Sequence, residues 1–425
     1  MEKKDLEGIT KIAVKGFKSI AEKCEIEISP LTILAGANSS GKSSIMQPLL
    51  MLKQTLEAPY DPGPLLIDGP NVKFTIAEQF LSSLSNEVKG KSFTVGIEGS
   101  DDGLSYFVNS SYRKTKNQIE VMKMTVDQSI YPENFTLRPK MSKDEIKKIA
   151  EPPSFSEDAD VVRRSGCFLR LESQHGYLIY NIVDILADHI YDTIHIPGLR
   201  GNPERVYKIS SVGKWYPGTF ENYAASVIHL WQESADTRLK SVADNLHALS
   251  LTGDVSTNKI GDVGIEVKVG RLPLHSTSDP DLVNIADVGF GVSQVLPVIV
   301  ALIAAKPGQL VYIEQPELHL HPNAQVALAQ ILADAAKRGV RVVAETHSSL
   351  LLLGIQTLVA EGKLSPELVK LHWFSRNKDG ITEVDSVDLD EAGTYGEWSI
   401  DFDQVDLAAE ERYLNAIDKL RFGKE

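Results

Sequence analysis

Apolar and polar positions alternate over residues 11–17 and 25–28, which predicts strands with one buried face. The short apolar run 31–35 predicts a buried strand, and residues 44–53 then carry apolar side chains at helical spacing. Between about 60 and 200 the pattern changes. Residues 92–97, 105–108 and 118–122 read as short antiparallel strands separated by Gly, Asp and Asn turns. A loop rich in Pro, Ser and charge is expected at 139–162, and helical spacing returns at 177–190 and 221–235. From 285 onward strands and helices alternate: helix 291–304, strand 310–313, helix 323–337, strand 340–344, helix 348–361. That alternation predicts a largely parallel sheet buried on both faces. There is no internal repeat, no low-complexity tract and no heptad run of three or more repeats, which argues against a long coiled-coil arm.

Composition narrows the class. A chain of 425 residues suits two or three domains, and 42% hydrophobic with 24% charged residues is ordinary for a globular protein. The apolar stretch 295–305 is too short to cross a bilayer, and the N-terminus has no apolar core of a signal peptide. Cys24 and Cys167 offer neither a disulfide framework nor metal-site spacing and read as buried small hydrophobes. A cytoplasmic protein with no membrane association is expected. The net charge of −14 argues against a surface dominated by non-specific DNA binding. A local basic groove remains compatible with it, so nucleic acid stays open as a ligand. Two basic stretches stand out, 138–148 and 200–208, and the first reads as solvated surface charge.

Residues 36–44 read Gly-Ala-Asn-Ser-Ser-Gly-Lys-Ser-Ser, with Gly36, Gly41, Lys42 and Ser43 at the spacing of a phosphate-binding loop. An apolar strand precedes it and a helix follows, as the chemistry requires. Glycines let the backbone approach phosphates, the helix N-terminus offers N–H groups, and the lysine adds a point charge. Ser43 places its hydroxyl for Mg²⁺. The chain is therefore expected to bind a nucleoside triphosphate.

Such a loop needs a partner strand ending in acid. Residues 310–314 supply four apolar residues and then Glu314, placed to hold Mg²⁺ directly or through water. His347 follows the next apolar strand, in Glu345-Thr-His-Ser, where it can sense the terminal phosphate. Upstream, Gly289-Phe-Gly-Val-Ser-Gln opens a helix and makes a second anion site, expected to face the nucleotide of a neighbouring subunit.

Taken together, Phe17-Lys-Ser-Ile, the 36–44 loop, the 289–294 loop, Ile313-Glu-Gln-Pro-Glu-Leu-His-Leu-His-Pro and the 345–348 segment resemble the ABC-type AAA-family ATPases related to RecF, the SMC heads and the OLD proteins. The tail at 392–403 resembles a short C-terminal domain of unknown function in one branch of that group. The resemblance implies an α/β fold: an ABC-type P-loop ATPase head, with a largely parallel sheet flanked by helices and an inserted β-rich and helical subdomain. It divides the chain into an N-terminal lobe (1–60), an insertion (61–205), a C-terminal lobe (206–375) and a small extension (376–425). It implies ATP and Mg²⁺, with Asn38, Ser39, Ser40, Gly41, Lys42, Ser43 and Ser44 around the phosphates and Ser43 with Glu314 on the metal. Glu314, Gln315, Glu345 and His347 form the implied catalytic set, and Gly291 with Ser293 closes the opposing site of a second subunit.

Two departures from the family pattern matter. Gln315 stands where a glutamate usually polarises the attacking water, and an amide cannot take that proton. Of the nearby carboxylates, Glu345 at a strand end is expected to substitute better than Glu317. The 289–294 loop also lacks the Leu-Ser-Gly-Gly order. Glu317, His319 and His321 alternate, which admits a metal site but reads better as a structural loop. Gln79 reads as a solvated glutamine, and Arg200 and Arg205 read equally as phosphate or partner contacts and as a plain turn.

The resemblance implies a slowly hydrolysing, self-associating ATP-driven assembly switch. Members of the class include ATPase subunits of two-component phage-defence systems such as PARIS and Septu, which implies a sensor subunit with a separate effector chain. The alternatives are an ATP-bound scaffold that barely turns over and a DNA repair or maintenance ATPase of RecF type. An OLD-type nuclease is disfavoured because 78 residues after His347 are too few for its catalytic domain. A transporter ATPase is disfavoured by the signature order and the large insertion.

Overall fold

The computed structural model describes residues 7–84, 90–116, 118–129, 134–150, 159–173, 182–271 and 281–395. In chain order the first elements are β1 (Gly8–Lys15), β2 (Cys24–Glu27), β3 (Leu31–Gly36), α1 (Lys42–Leu56), β4 (Ser92–Asp101), β5 (Leu104–Lys114), β6 (Ile119–Gln128) and β7 (Asn134–Leu137). Then come α2 (Lys143–Ala150), β8 (Ala159–Ser165), β9 (Phe168–Ser173), α3 (Ile182–Asp192), β10 (Ile194–Ile196), β11 (Tyr207–Lys208), α4 (Ala224–Glu233), α5 (Arg238–Ala248), β12 (Val255–Ile260), β13 (Gly264–Gly270) and β14 (Leu282–Asn284). The rest is α6 (Phe290–Ala304), β15 (Leu310–Glu314), α7 (Pro322–Lys337), β16 (Arg341–Glu345), α8 (Ser349–Ala360), β17 (Val369–Arg376) and β18 (Thr382–Asp388).

The expected parallel sheet is present, in the order β10-β15-β16-β3-β17-β18. Its first five strands run parallel and β18 closes the edge antiparallel to β17. A second sheet, β2-β1-β4-β5-β6-β7, is antiparallel throughout. Because β4 pairs directly with β1, the division at residue 61 cuts through a sheet. Likewise β10, on the insertion side of residue 205, pairs with β15 in the parallel sheet, and β18, within 376–425, pairs with β17. The tail at 392–403 lies outside the described residues from 396 onward.

Strand parity builds the core. Along β3, Leu31, Ile33 and Ala35 enter one cluster with α4–α8, while Leu34 enters a second cluster with α1 and the antiparallel sheet. The same alternation puts Val311, Ile313, Val342 and Ala344 on the first face and Leu310, Tyr312 and Val343 on the second. Both faces are thus covered, which is the condition a parallel sheet requires. Among the described residues the longest helix is α7, 16 residues, in keeping with the missing heptads.

Three local expectations are corrected. The 139–162 loop contains α2, whose start is built by Ser142: its Oγ accepts from Glu145 N (3.3 Å) and its N donates to Glu145 Oε2 (2.8 Å). That capping box lies in a charged, polar stretch whose composition reads as loop. The helix expected at 177–190 runs over Ile182–Asp192, with 174–181 outside the described residues. The helix expected at 221–235 is a 3₁₀ turn at Phe220–Asn222 followed by α4.

Candidate functional site

The phosphate loop joins β3 to α1 and is shaped by two glycines. Gly36 has φ +138°, and a Cβ there would lie 2.2 Å from the Phe374 carbonyl oxygen. Gly41 has φ +112°, and its Cβ would lie 2.4 Å from Thr382 Oγ1. Thr382, on β18, donates to the Ser40 carbonyl (2.7 Å) and accepts from the Ser19 hydroxyl (2.8 Å), so the closing hairpin supports the loop from below. Ser40 and Ser44 are buried, Asn38 and Ser39 are exposed, and Ser39 has φ +61°. Gly41 caps α1; in the first turn the Ser44 N–H donates to the Gly41 carbonyl (2.9 Å), and the amides ahead of it have no i−4 helical acceptor and can meet an anion.

Lys42 is buried at the centre of this loop. Its Nζ donates to the carbonyls of Gly36 (2.9 Å) and Ala37 (2.8 Å). Burial lowers its pKa, against the pull of Glu345 and Glu317. A buried ammonium held only by carbonyls of its own loop is well suited to gain from an anionic ligand.

The two acidic strand ends meet this loop because of strand order and parity. Glu314 ends β15 and Glu345 ends β16, directly paired in register, and β16 in turn pairs with β3. Both carboxylates fall on the α1 face of the sheet, with Tyr312. Ser43 Oγ donates to Glu345 Oε1 (2.9 Å), and Tyr312 OH donates to Glu345 Oε2 (2.9 Å). Burial raises the Glu345 pKa, with the neighbouring Glu314 charge adding to it. Ser43 meets Glu345 directly because the strand adjacent to β3 is β16, so its acid reaches Ser43 first.

Glu314 is held from the other side. Its Oε2 accepts from Gly198 N (3.0 Å) and its Oε1 lies 3.3 Å from His195 Nε2. Burial pushes its pKa up, but His195, the Gly198 N–H and Arg200 outweigh it and hold the carboxyl below the usual range. Arg200 itself is buried and donates to four carbonyls, those of Pro197 (3.0 Å), Gln294 (3.0 Å), Glu314 (2.7 Å) and Gln315 (3.0 Å). Burial lowers its pKa to about 10. Its fork is thus spent on the backbone, and its burial sets it apart from a plain turn with surface arginines. Arg205 pairs with Asp287 at the surface.

Gln315 leaves the strand with φ +47°, donates its N–H to the Glu345 carbonyl (2.7 Å) and is partly buried. His347 is partly buried, its N–H donates to Glu317 Oε1 (2.9 Å), and burial together with Lys42 lowers its imidazole pKa. Burial raises the Glu317 carboxyl. His321 caps α7 by accepting from Asn323 N (3.3 Å), and His319 packs its ring on Phe290 at 5.8 Å. These two histidines thus make a helix cap and a ring contact within the loop. Gln79 is exposed and caps its own 3₁₀ turn through Thr75 N (2.7 Å).

Gly291 and Ser293 lie in the first turn of α6 rather than in a loop. Ser293 is buried with its hydroxyl donated to the Phe290 carbonyl (3.0 Å), and a Cβ at Gly291 would sit 3.2 Å from the His319 carbonyl oxygen. Phe290, by contrast, is 51% exposed.

The donor set fits a magnesium nucleotide. Ser43, Glu314 and Glu345 are hard oxygen donors, and a side chain at Gly36 or Gly41 would collide with Phe374 or Thr382 and disturb the loop. Four further residues of the site were not singled out from the sequence. They are His195, Tyr312, Thr382 and Lys18, whose Nζ stands 4.9 Å over the Phe74 ring and feels the Glu314 charge. The only signal was a histidine between two isoleucines in 194–196, a polar residue in an apolar strand.

The profile of a family described as "AAA domain, putative AbiEii toxin, Type IV TA system" matches residues 31–353. No curated protein matches the chain. Among solved structures the chain is similar to the SmcHead bound to the C-winged helix domain of ScpA, at 15% identity over 91% of this chain and 99% of that one, with a TM-score of 0.52. The SMC head domain from Thermotoga maritima aligns at 11% identity over 90% and 100% of the two chains, with a TM-score of 0.44. The Smc head with an extended coiled coil bound to the C-terminal domain of ScpA, derived from Pyrococcus furiosus, aligns at 14% over 97% and 100%, with a TM-score of 0.46. At these identities the likeness concerns the fold, and the first of them identifies the ABC-type head. The matched family span runs from the phosphate-loop strand into α8, well over half of the sequence, and the chain belongs to this family of AAA domains.

Proposed function

We propose that the chain binds ATP with Mg²⁺, hydrolyses it slowly and uses the bound state to associate head to head. The observation that carries the reading is the convergence of Lys42, Ser43, Glu345, Glu314 and His347 on one edge of the parallel sheet, with an amide, Gln315, where a base is needed. Lys42 and the α1 amides receive the β- and γ-phosphates, and Ser43 with the two glutamates holds the metal side. When bound, Mg²⁺ neutralises charge on the β- and γ-phosphates. In this reading His347, whose pKa burial and Lys42 lower, donates a hydrogen bond to the terminal phosphate. Gln315 orients the attacking water without taking its proton, so turnover is slow and the ATP-bound state long-lived.

A switch built on a long-lived bound state suits the ATPase subunit of a two-component antiviral system, with a separate chain as effector. Gln315 also supports a second reading, an ATP-bound scaffold with negligible turnover. The α6 end and the 197–200 turn supply the association face: Leu199 is 91% exposed beside Glu314, and Phe290 is half exposed. Sedimentation with and without ATP and Mg²⁺ tests the switch. Nucleotide is expected to raise the association state, and Leu199→Asp or Phe290→Asp to prevent this with nucleotide affinity retained. An identical state with and without nucleotide across concentrations would rule the switch out.

A further inference from the structure

β10 is only three residues long, and its parity is decisive. Ile194 and Ile196 enter the cluster with α4–α8, which turns His195 to the opposite face, in register with Tyr312. There His195 is fully buried, with its ring stacked on Tyr312 at 5.4 Å and 9°. Each ring nitrogen meets an oxygen: Nε2 lies 3.3 Å from Glu314 Oε1, and Nδ1 lies 3.0 Å from Asn71 Oδ1. The stacked rings thus serve the two paired acids separately, His195 on Glu314 and Tyr312 on Glu345.

Asn71 is itself anchored to α1. Its backbone N–H donates to Gln54 Oε1 (3.1 Å), and its Nδ2 faces the Glu57 carboxylate without full hydrogen-bond geometry. Glu57 is in turn buried in an ion pair with Lys53 and accepts from Gly218 N (2.9 Å). The far end of the phosphate-loop helix therefore fixes the ring that fixes Glu314.

We infer that His195 is a positioning residue for the metal-side carboxylate, holding Glu314 in one orientation through Nε2 while Asn71 holds the ring. The inference rests on Glu314 serving the metal, as proposed above. With Oε2 on the Gly198 N–H and Oε1 on the imidazole, Glu314 cannot rotate about its last torsion, and its remaining lone pairs keep one direction. Removing the ring frees that torsion and leaves a buried carboxylate short of a partner.

The test measures Mn²⁺ affinity by electron paramagnetic resonance on the full chain at saturating ADP, corrected for ADP alone. Outer-shell partners of metal ligands typically contribute about 10–100-fold in affinity. His195→Ala is expected to weaken Mn²⁺ by about that factor, with metal-free ADP affinity within about twofold and kcat reduced more than KM. His195→Gln, which restores an N–H donor, is expected to recover part of the loss. In a Glu314→Gln background, His195→Gln is expected to change Mn²⁺ affinity no further, because coupled residues are non-additive. If His195→Ala fails to fold, His195→Gln and Asn71→Ser carry the same measurement. Unchanged Mn²⁺ affinity in a folded His195 variant, or an equal loss in the Glu314→Gln background, overturns the positioning role. Unchanged affinity in Glu314→Gln alone overturns the assignment of Glu314 to the metal, and the role of His195 with it.

Discussion

Ser43 donates its hydroxyl to Glu345 Oε1 at 2.9 Å, and Tyr312 occupies the other oxygen of the same carboxylate. Glu345 therefore acts first as the acceptor that orients the phosphate-loop serine. As a base it would have to give up one of these bonds. The consequence is an altered reason for an expected effect. Glu345→Gln should lower turnover more than Glu317→Gln, and it should also weaken Mg²⁺-dependent nucleotide binding, because Ser43 loses its charged acceptor. A Glu345→Gln protein with wild-type magnesium dependence and turnover would show that this hydrogen bond is incidental.

Lys42→Ala removes the one cation held inside the loop by Gly36 and Ala37. ATP affinity measured calorimetrically should fall by at least about a hundredfold, equivalent to roughly 2.7 kcal/mol. The melting temperature should hold or rise, since the two carbonyls and the Glu345 and Glu317 charges offset the cost of burying the lysine only in part.

Gln315→Glu restores a proton acceptor at a position whose backbone is already fixed by Arg200 and by the Glu345 carbonyl. Steady-state hydrolysis should rise by about 10²-fold or more, the lower end of what a general base contributes. No increase would place the proton acceptor elsewhere, on a second subunit or a partner chain.

Arg200→Ala leaves four carbonyls around the Glu314 strand end without their donor. A loss of about 3 kcal/mol or more is expected in thermal or denaturant unfolding. Arg200→Lys should recover little of it, because a single ammonium cannot span the planar fork.

His372 is fully buried on β17, bonded to Ser386 Oγ (2.7 Å) and the Glu27 carbonyl (2.8 Å), and burial lowers its pKa. As pH falls through the unfolded value of about 6.5, the unfolded chain takes up a proton that the folded chain does not. The stability from neutral His372 is complete above that pH and is lost below it, until the folded imidazole titrates. The melting temperature of wild type should accordingly fall more between about pH 7.5 and 5.5 than that of His372→Gln.

The local chemistry and the order of elements follow from residues close together in the chain. Gly36, Gly41 and Lys42 are adjacent in the chain, and the strand before them and helix after them follow from periodicity over a few residues, so the loop was legible at once. The same holds for Glu314 and Glu345 as strand-end acids, and for the parallel sheet implied by alternating elements. Which of these groups meet depends on how the strands assemble. Ser43 reaches Glu345 rather than Glu314 because β16, not β15, lies beside β3, and no local pattern states strand order. His195 reaches Glu314 because a three-residue strand has a parity that turns its one polar residue toward α1. Thr382 supports Gly41 because the final hairpin adds to the same sheet, 342 residues from the Ser40 carbonyl it binds. Such contacts depend on strand order and on which face each residue takes, and both are set by burying two faces of one sheet at once.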